Sequence, residues 1–221
     1  MSRVIGALLR KELRIEIRTL ETLPGMALFS VTTFVVFHFA LDRPSLSGDL
    51  AAGVLVVTLL FAAMLGVNRL WVADEEQGGF DAVLLAPIDR TALFVAKAIA
   101  FLAYLVALEV VAVPAFKLLL LGPALNGWLL VVLALADVGL AVVGTLVGAL
   151  AVKTRARDLI GPLVALPLLV PIVIATARGA SPLLQRGASG GPEAKWLAIL
   201  GLYDLVFALV AYAVFDPLLE D

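Results

Sequence analysis

The chain has 221 residues, of which 62% are hydrophobic and 15% charged, with a formal net charge of −2 and no cysteine. Soluble domains carry about 45–50% apolar and about 25% charged residues, so this composition, with a mean hydropathy of +1.09, excludes an ordinary water-soluble globule and makes lipid the solvent for most of the surface. The lack of cysteine excludes disulfides, thiolate metal sites and a cysteine nucleophile.

The first expected element is a basic amphipathic helix over residues 3–23, so that residues 1–24 form one unit and 25–221 a transmembrane unit. Ile5, Leu9, Leu13, Ile17 and Leu20 recur at helical spacing, with Arg10, Arg14 and Arg18 on the opposite face. Such a helix suits a membrane surface, where arginines meet anionic lipid head groups. The plainer alternative is a juxtamembrane helix that only sets topology. Glu12 and Glu16 border the apolar stripe, where lipid is costly, which points them toward protein. Pro24 is expected to end the helix. The mixed composition of these residues, and the lack of a small-residue cleavage site after Leu41, give no expectation of a cleaved signal.

Spanning a bilayer takes about 20 apolar residues, and six windows qualify: 25–41, 50–70, 92–121, 128–152, 159–177 and 196–215. The fold class is therefore an all-α polytopic membrane protein with six transmembrane helices. An even number places both termini on one side. With the N-terminus inside, the inner segments hold Arg3, Arg10, Lys11, Arg14, Arg18, Arg69, Arg90, Lys153, Arg155 and Arg157, and the outer ones Arg43, Arg178, Arg186 and Lys195. This excess favours N-in and C-in in a bacterial inner membrane. The last outer segment, Arg178–Lys195, is rich in Gly, Ser and Pro and reads as a mobile loop. Leu59, on the second span, is taken as a surface position.

The connection between spans two and three, residues 71–90, carries an acidic run, Asp74, Glu75 and Glu76, then Gly78 and Gly79, then Phe80, Asp81, Val83 and Leu84, and ends at Pro87. The glycine pair permits a sharp turn. Asp81 falls in the first turn of a short helix, where a carboxylate suits the helix dipole, and Pro87 ends that helix. It is too short to span and too apolar for water, so it must dock, either on its own bundle and the bilayer or in a groove of a separate cytoplasmic protein.

Ionisable residues inside spans are functional suspects. Lys97 and Lys117 lie toward opposite ends of span three and are expected to snorkel. Glu109 and Asp137 fall near the middle of successive spans, as possible intramembrane polar sites. They share a proton, line a water-filled path or sit buried and neutral. His38, the only histidine, lies near the end of span one. Imidazole is the common protein ligand of heme iron, but a lone interfacial histidine is ordinary. Gly144 and Gly148, four residues apart, allow close helix packing. There is no G-x-x-x-x-G-K-[ST] phosphate loop, no histidine–carboxylate cluster for a metal and no nucleophile–base pair. No catalytic, metal or cofactor-binding residue is expected, nor a nucleic-acid partner.

The segment 74–87, followed by a lysine early in the next span, resembles the coupling segment of type-2 ABC exporter permeases, and more narrowly that of the heme exporter B (CcmB) family. Three further stretches support the resemblance: Lys11 to Arg18 is similar to that family's opening helix; Leu163 to Pro171, with Pro167 and Pro171 one turn apart, to its fifth span; and Leu197 to Asp204 and on from Phe215 to Glu220, to its sixth span and C-terminus. The resemblance implies a six-helix permease with an N-terminal amphipathic helix, itself non-catalytic, that works in cytochrome c maturation. The implied partners are a CcmA-like ATP-binding cassette subunit that docks on the coupling segment, a CcmC-like heme-handling membrane protein, a small one-span CcmD-like subunit and, through the complex, a CcmE-like heme chaperone. Two membrane halves facing two ATPase subunits imply two copies of this chain, or one beside a different permease. Rival readings are an ABC permease for a lipid or drug, a membrane scaffold that transports nothing, and a secondary transporter using Glu109 and Asp137 as proton sites.

Overall fold

The computed structural model describes residues 1–41, 43, 45–76, 90–122, 125–152, 157–188 and 190–218. They form seven α-helices: α1 (Ser2–Thr19), α2 (Thr22–Ala40), α3 (Gly48–Glu76), α4 (Arg90–Leu119), α5 (Gly127–Val152), α6 (Arg157–Ala180) and α7 (Ala194–Leu218), with one 3₁₀ turn at Ser181–Leu184. Among the described residues there is no strand. Helices α2 to α7 are each long and apolar enough to cross a membrane, and the chain is a polytopic membrane protein.

Helix α5 is the hub, packing on α3, α4, α6 and α7, whereas α2 rests chiefly on α3 and α4. Small residues make this possible. A Cβ at Gly144 would strike Val67 and Phe101, and one at Gly148 would strike the Trp71 indole, so the two glycines seat α5 against α3 and α4. Without hydrophobic drive between helices in lipid, such close approach is what gains dispersion contact. Gly66 of α3 serves the same purpose for Met26 and Phe101. Edge-to-face contact of Phe34 with Phe116, centroids 5.5 Å apart, fastens α2 to α4. In α6, Leu168 lies between Pro167 and Pro171, and its carbonyl accepts a hydrogen bond from the Tyr203 hydroxyl of α7.

The first helix ends earlier than Pro24. Leu20 takes a left-handed conformation, φ 50°, and the chain turns there. Pro24 sits instead in the first turn of α2, where a missing N–H costs nothing. Glu16 closes the corner: its Oε1 accepts hydrogen bonds from the main-chain N–H groups of Thr22 at 3.1 Å and Leu23 at 2.7 Å, two of the orphan donors of the new helix. The face of α1 toward the bundle therefore carries Glu12 and Glu16, both buried, while Ile17 is 73% exposed.

The segment expected to be a mobile loop is instead tied down. Arg178 belongs to α6. Ser181 Oγ donates to Asp49 Oδ1 at 2.5 Å, Arg186 bonds to Ser45 Oγ, and Asn126 donates to the carbonyl of Gly190 at 3.2 Å. Asn126 also caps α5, accepting from Trp128 N–H at 3.0 Å. Composition signalled turn residues but not these cross-loop partners. We call this the loop end of the bundle, and the opposite end, where α1 lies and α7 finishes, the terminal end.

Candidate functional site

Of the coupling segment, Asp74, Glu75 and Glu76 are the last residues of α3, so the acidic run continues that helix. Gly78, Gly79, Phe80, Asp81, Val83, Leu84 and Pro87 lie outside the described residues. The two helices that flank the segment are described, and a buried polar cluster lies between them.

Lys97, seven residues into α4 and about 10 Å from its start at the helical rise, is 0% exposed. Its Nζ donates to the Leu70 carbonyl of α3 at 2.9 Å, lies 3.4 Å from Glu12 Oε1 of α1 and sits 4.7 Å from the centroid of the Trp71 ring. Lys11 reaches the same Glu12 oxygen at 3.4 Å, and the Tyr104 hydroxyl donates to the Glu12 main-chain carbonyl at 3.2 Å. The snorkelling expected of Lys97 is thus wrong: a carbonyl, a carboxylate and an indole face replace water around the ammonium. Lys117, on the exposed side of the last turn of α4, has open surroundings. The cluster holds α1, the end of α3 and the start of α4 in one arrangement. A buried charge is tolerated only when paired and hydrogen-bonded, and here that pairing fixes the geometry of both ends from which the coupling segment departs.

The second cluster is at mid-depth. Glu109 of α4 and Asp137 of α5 face each other with their carboxyl groups in hydrogen-bonding reach. The sequence places both near mid-span but says nothing of their facing. Asp137 is 4% exposed. One oxygen of each carboxyl, Glu109 Oε1 and Asp137 Oδ2, has no hydrogen-bond partner. Asp137 also lines a cavity of about 20 Å³ between α3, α5 and α6, whose other walls include Leu59, Leu133, Ile172 and Thr176. Leu59 is accordingly a core residue, 7% exposed, and not the surface position expected.

A third carboxyl was not singled out by its sequence. Asp204 of α7 is 7% exposed and neither of its oxygens has a partner. It abuts Gly139 of α5, where a Cβ would lie 2.5 Å from Asp204 Oδ1. The available signal was depth: Glu109, Asp137 and Asp204 each lie ten residues from the loop-end terminus of their helix. His38 is exposed at the loop end of α2, with its ring against Phe39. Among the described residues no three His, Asp or Glu side chains converge to hold a metal ion.

Comparison with known proteins gives matches along the whole chain. The family model described as CcmB protein matches residues 3–218. Heme exporter protein B of Rhodobacter capsulatus is 35% identical over 210 residues, covering 94% of each chain. That of Paracoccus denitrificans is 32% identical over 213 residues, again 94% of each, and that of Pseudomonas aeruginosa 30% identical over 216 residues, 97% of this chain and 96% of the relative.

Proposed function

The chain belongs to the CcmB family, and from that premise we propose that it is the membrane subunit of an ABC-type heme exporter serving cytochrome c maturation. The observation that carries the reading is the end-to-end match, residues 3–218, to a family whose relatives are heme exporter B proteins. In this reading the protein is non-catalytic. With no phosphate loop of its own, it takes its work from a separate ATP-binding cassette subunit, which docks on residues 74–87. A heme-handling membrane protein, a small one-span subunit and a heme chaperone complete the complex, in which two copies of this chain face two ATPase subunits. The terminal end faces the cytoplasm of a bacterial inner membrane, in line with ten basic residues there against four at the loop end, Lys97 and Lys117 left aside.

The paired cluster supports this assignment mechanically. Docking at residues 74–87 pulls on the end of α3 and the start of α4, and Lys97 binds those two helices to each other and to α1. A movement imposed on the segment is therefore delivered to the bundle, not absorbed in a loose joint.

The direct test is genetic. In a bacterium that makes c-type cytochromes, deletion of its own CcmB-family gene should abolish covalent heme attachment, read by heme staining of membrane and periplasmic fractions. This chain, supplied with its cognate ATPase subunit, should restore it. Normal c-type cytochromes in the deletion strain, or expression of both proteins without restoration, would contradict the assignment.

A further inference from the structure

Glu109 and Asp137 are each ten residues from the loop-end terminus of their helices, about 15 Å at 1.5 Å per residue. That is half the roughly 30 Å thickness of a bilayer's hydrocarbon core. Two ionised carboxylates in contact at that depth would carry two desolvated charges and their mutual repulsion, with nothing to offset either.

Among the described side chains, the other charged groups on the helices around the pair lie elsewhere. On α3, Asp49 is at the loop end and bonded to Ser181, and Arg69 is at the terminal end beside Glu21. On α4 itself, Lys97 is engaged by Glu12, and Lys117 is two turns away toward the loop end. On α6, Arg178 is in the last turn at the loop end. On α2, His38 is exposed at the loop end. On α1, Glu12 and Glu16 are at the terminal end, on Lys97 and on the start of α2. On α7, Asp204 is a third carboxyl at the same depth. No cation among the described residues stands beside the pair.

A proton changes the balance. Placed between the two groups, it removes one charge and turns the repulsion into a charge-assisted O–H···O hydrogen bond, one of the stronger kinds. A second feature points to the same chemistry. Asp137 Oδ2 is unpartnered and belongs to a side chain more than nine-tenths buried, and Asp137 is among the residues that line the 20 Å³ cavity. About 10–15 Å³ suffices to seat one water, provided it finds polar partners. Thr176 lines the same space; its hydroxyl donates to the Ile172 carbonyl at 2.7 Å, which leaves its oxygen as an acceptor for a water that also donates to Asp137.

We propose that Glu109 and Asp137 form a proton-binding site at the middle of the membrane, with one proton shared between the two carboxyls and one water seated beside Asp137. The site holds whatever the cargo of the complex, so it stands or falls separately from the heme assignment.

The test is infrared absorption of the full chain in lipid vesicles at neutral pH. The wild type should show a carboxylic-acid C=O band. Glu109→Gln/Asp137→Asn together should lose it, whereas Asp204→Asn should leave that component in place. Loss of carboxylate absorption alone in the double variant would mean that both groups are ionised, and would overturn the proposal. A readout on the wild type keeps the question open to decision even if the double variant fails to fold. Dicyclohexylcarbodiimide adds to protonated carboxyls in apolar surroundings, so peptide mass analysis should find the adduct on Glu109 or Asp137 and not on the exposed Glu193. Adduct on neither of the pair, after exposure that labels a protonated buried carboxyl in a reference membrane protein, would overturn it equally.

Discussion

At the terminal end of the bundle, Lys97 is buried against Glu12, a main-chain carbonyl and an indole face. At mid-depth, the buried Asp137 faces the half-buried Glu109, with an oxygen of each left unpartnered. Both clusters put ionisable groups where water is scarce, but the first is closed by opposite charge and the second is not. An opposite-charge cluster has one good arrangement and behaves as a fastener. A like-charge cluster depends on a particle that comes and goes, the proton, and so is able to change state without any helix unpacking. The placement agrees with that division. The fastener borders the segment through which a partner would act, and the proton site lies in the middle of the bundle.

The comparison breaks most easily at Glu12. Glu12→Ala leaves the Lys97 ammonium buried without its carboxylate, and removing one member of a buried pair costs about 3–5 kcal/mol. Thermal unfolding in detergent should show the loss. Glu12→Ala combined with Lys97→Met should recover most of it, because an uncharged pair has no desolvated ion to support. A cost below about 1 kcal/mol, the range of exposed ion pairs, would mean that Lys97 reaches water after all and that the cluster is no fastener. Asp137→Asn sharpens the other side. The amide keeps the shape and one hydrogen bond to Glu109 while removing a titratable group, so the expected cost is about 0.5–1.5 kcal/mol, that of an ordinary hydrogen bond. A cost as large as that of Glu12→Ala would make the carboxyl pair a structural lock of the same kind as the first.

The six spans were legible because their signal is length and apolarity, which the bilayer demands of each helix separately. The family could be read from four ordered stretches, among them Lys11 to Arg18 and Leu163 to Pro171. What escaped depends on which helices meet. Lys97 reads as a snorkelling residue until α1 is known to bring Glu12 over it. Leu59 reads as lipid-facing until α5 and α6 enclose it. Pro24 reads as a breaker, although the break falls at Leu20, whose left-handed backbone no composition rule assigns to leucine. Asp204 passed as part of a family-like stretch, and only its depth beside Asp137 gives it meaning. Sequence and structure also divide the coupling segment between them. The structure fixes the helices on either side, and the sequence alone supplies Phe80, Val83 and Leu84 as its apolar face.

In the proposed reading, that face is where an ATPase subunit docks. Burying a large apolar side chain is worth about 1.5–3 kcal/mol, and about 1.4 kcal/mol is a tenfold change in affinity. The decisive measurement is co-purification of the ATPase subunit with wild type, Phe80→Ala and Phe61→Ala. The last is the proper control, because Phe61 is 46% exposed on the spanning part of α3. The expected result is retention by wild type and Phe61→Ala, and binding weakened about 10- to 100-fold by Phe80→Ala. Equal retention of the ATPase by Phe80→Ala and Phe61→Ala would contradict docking at residues 74–87, and with it the coupling of this membrane subunit to ATP hydrolysis through that segment.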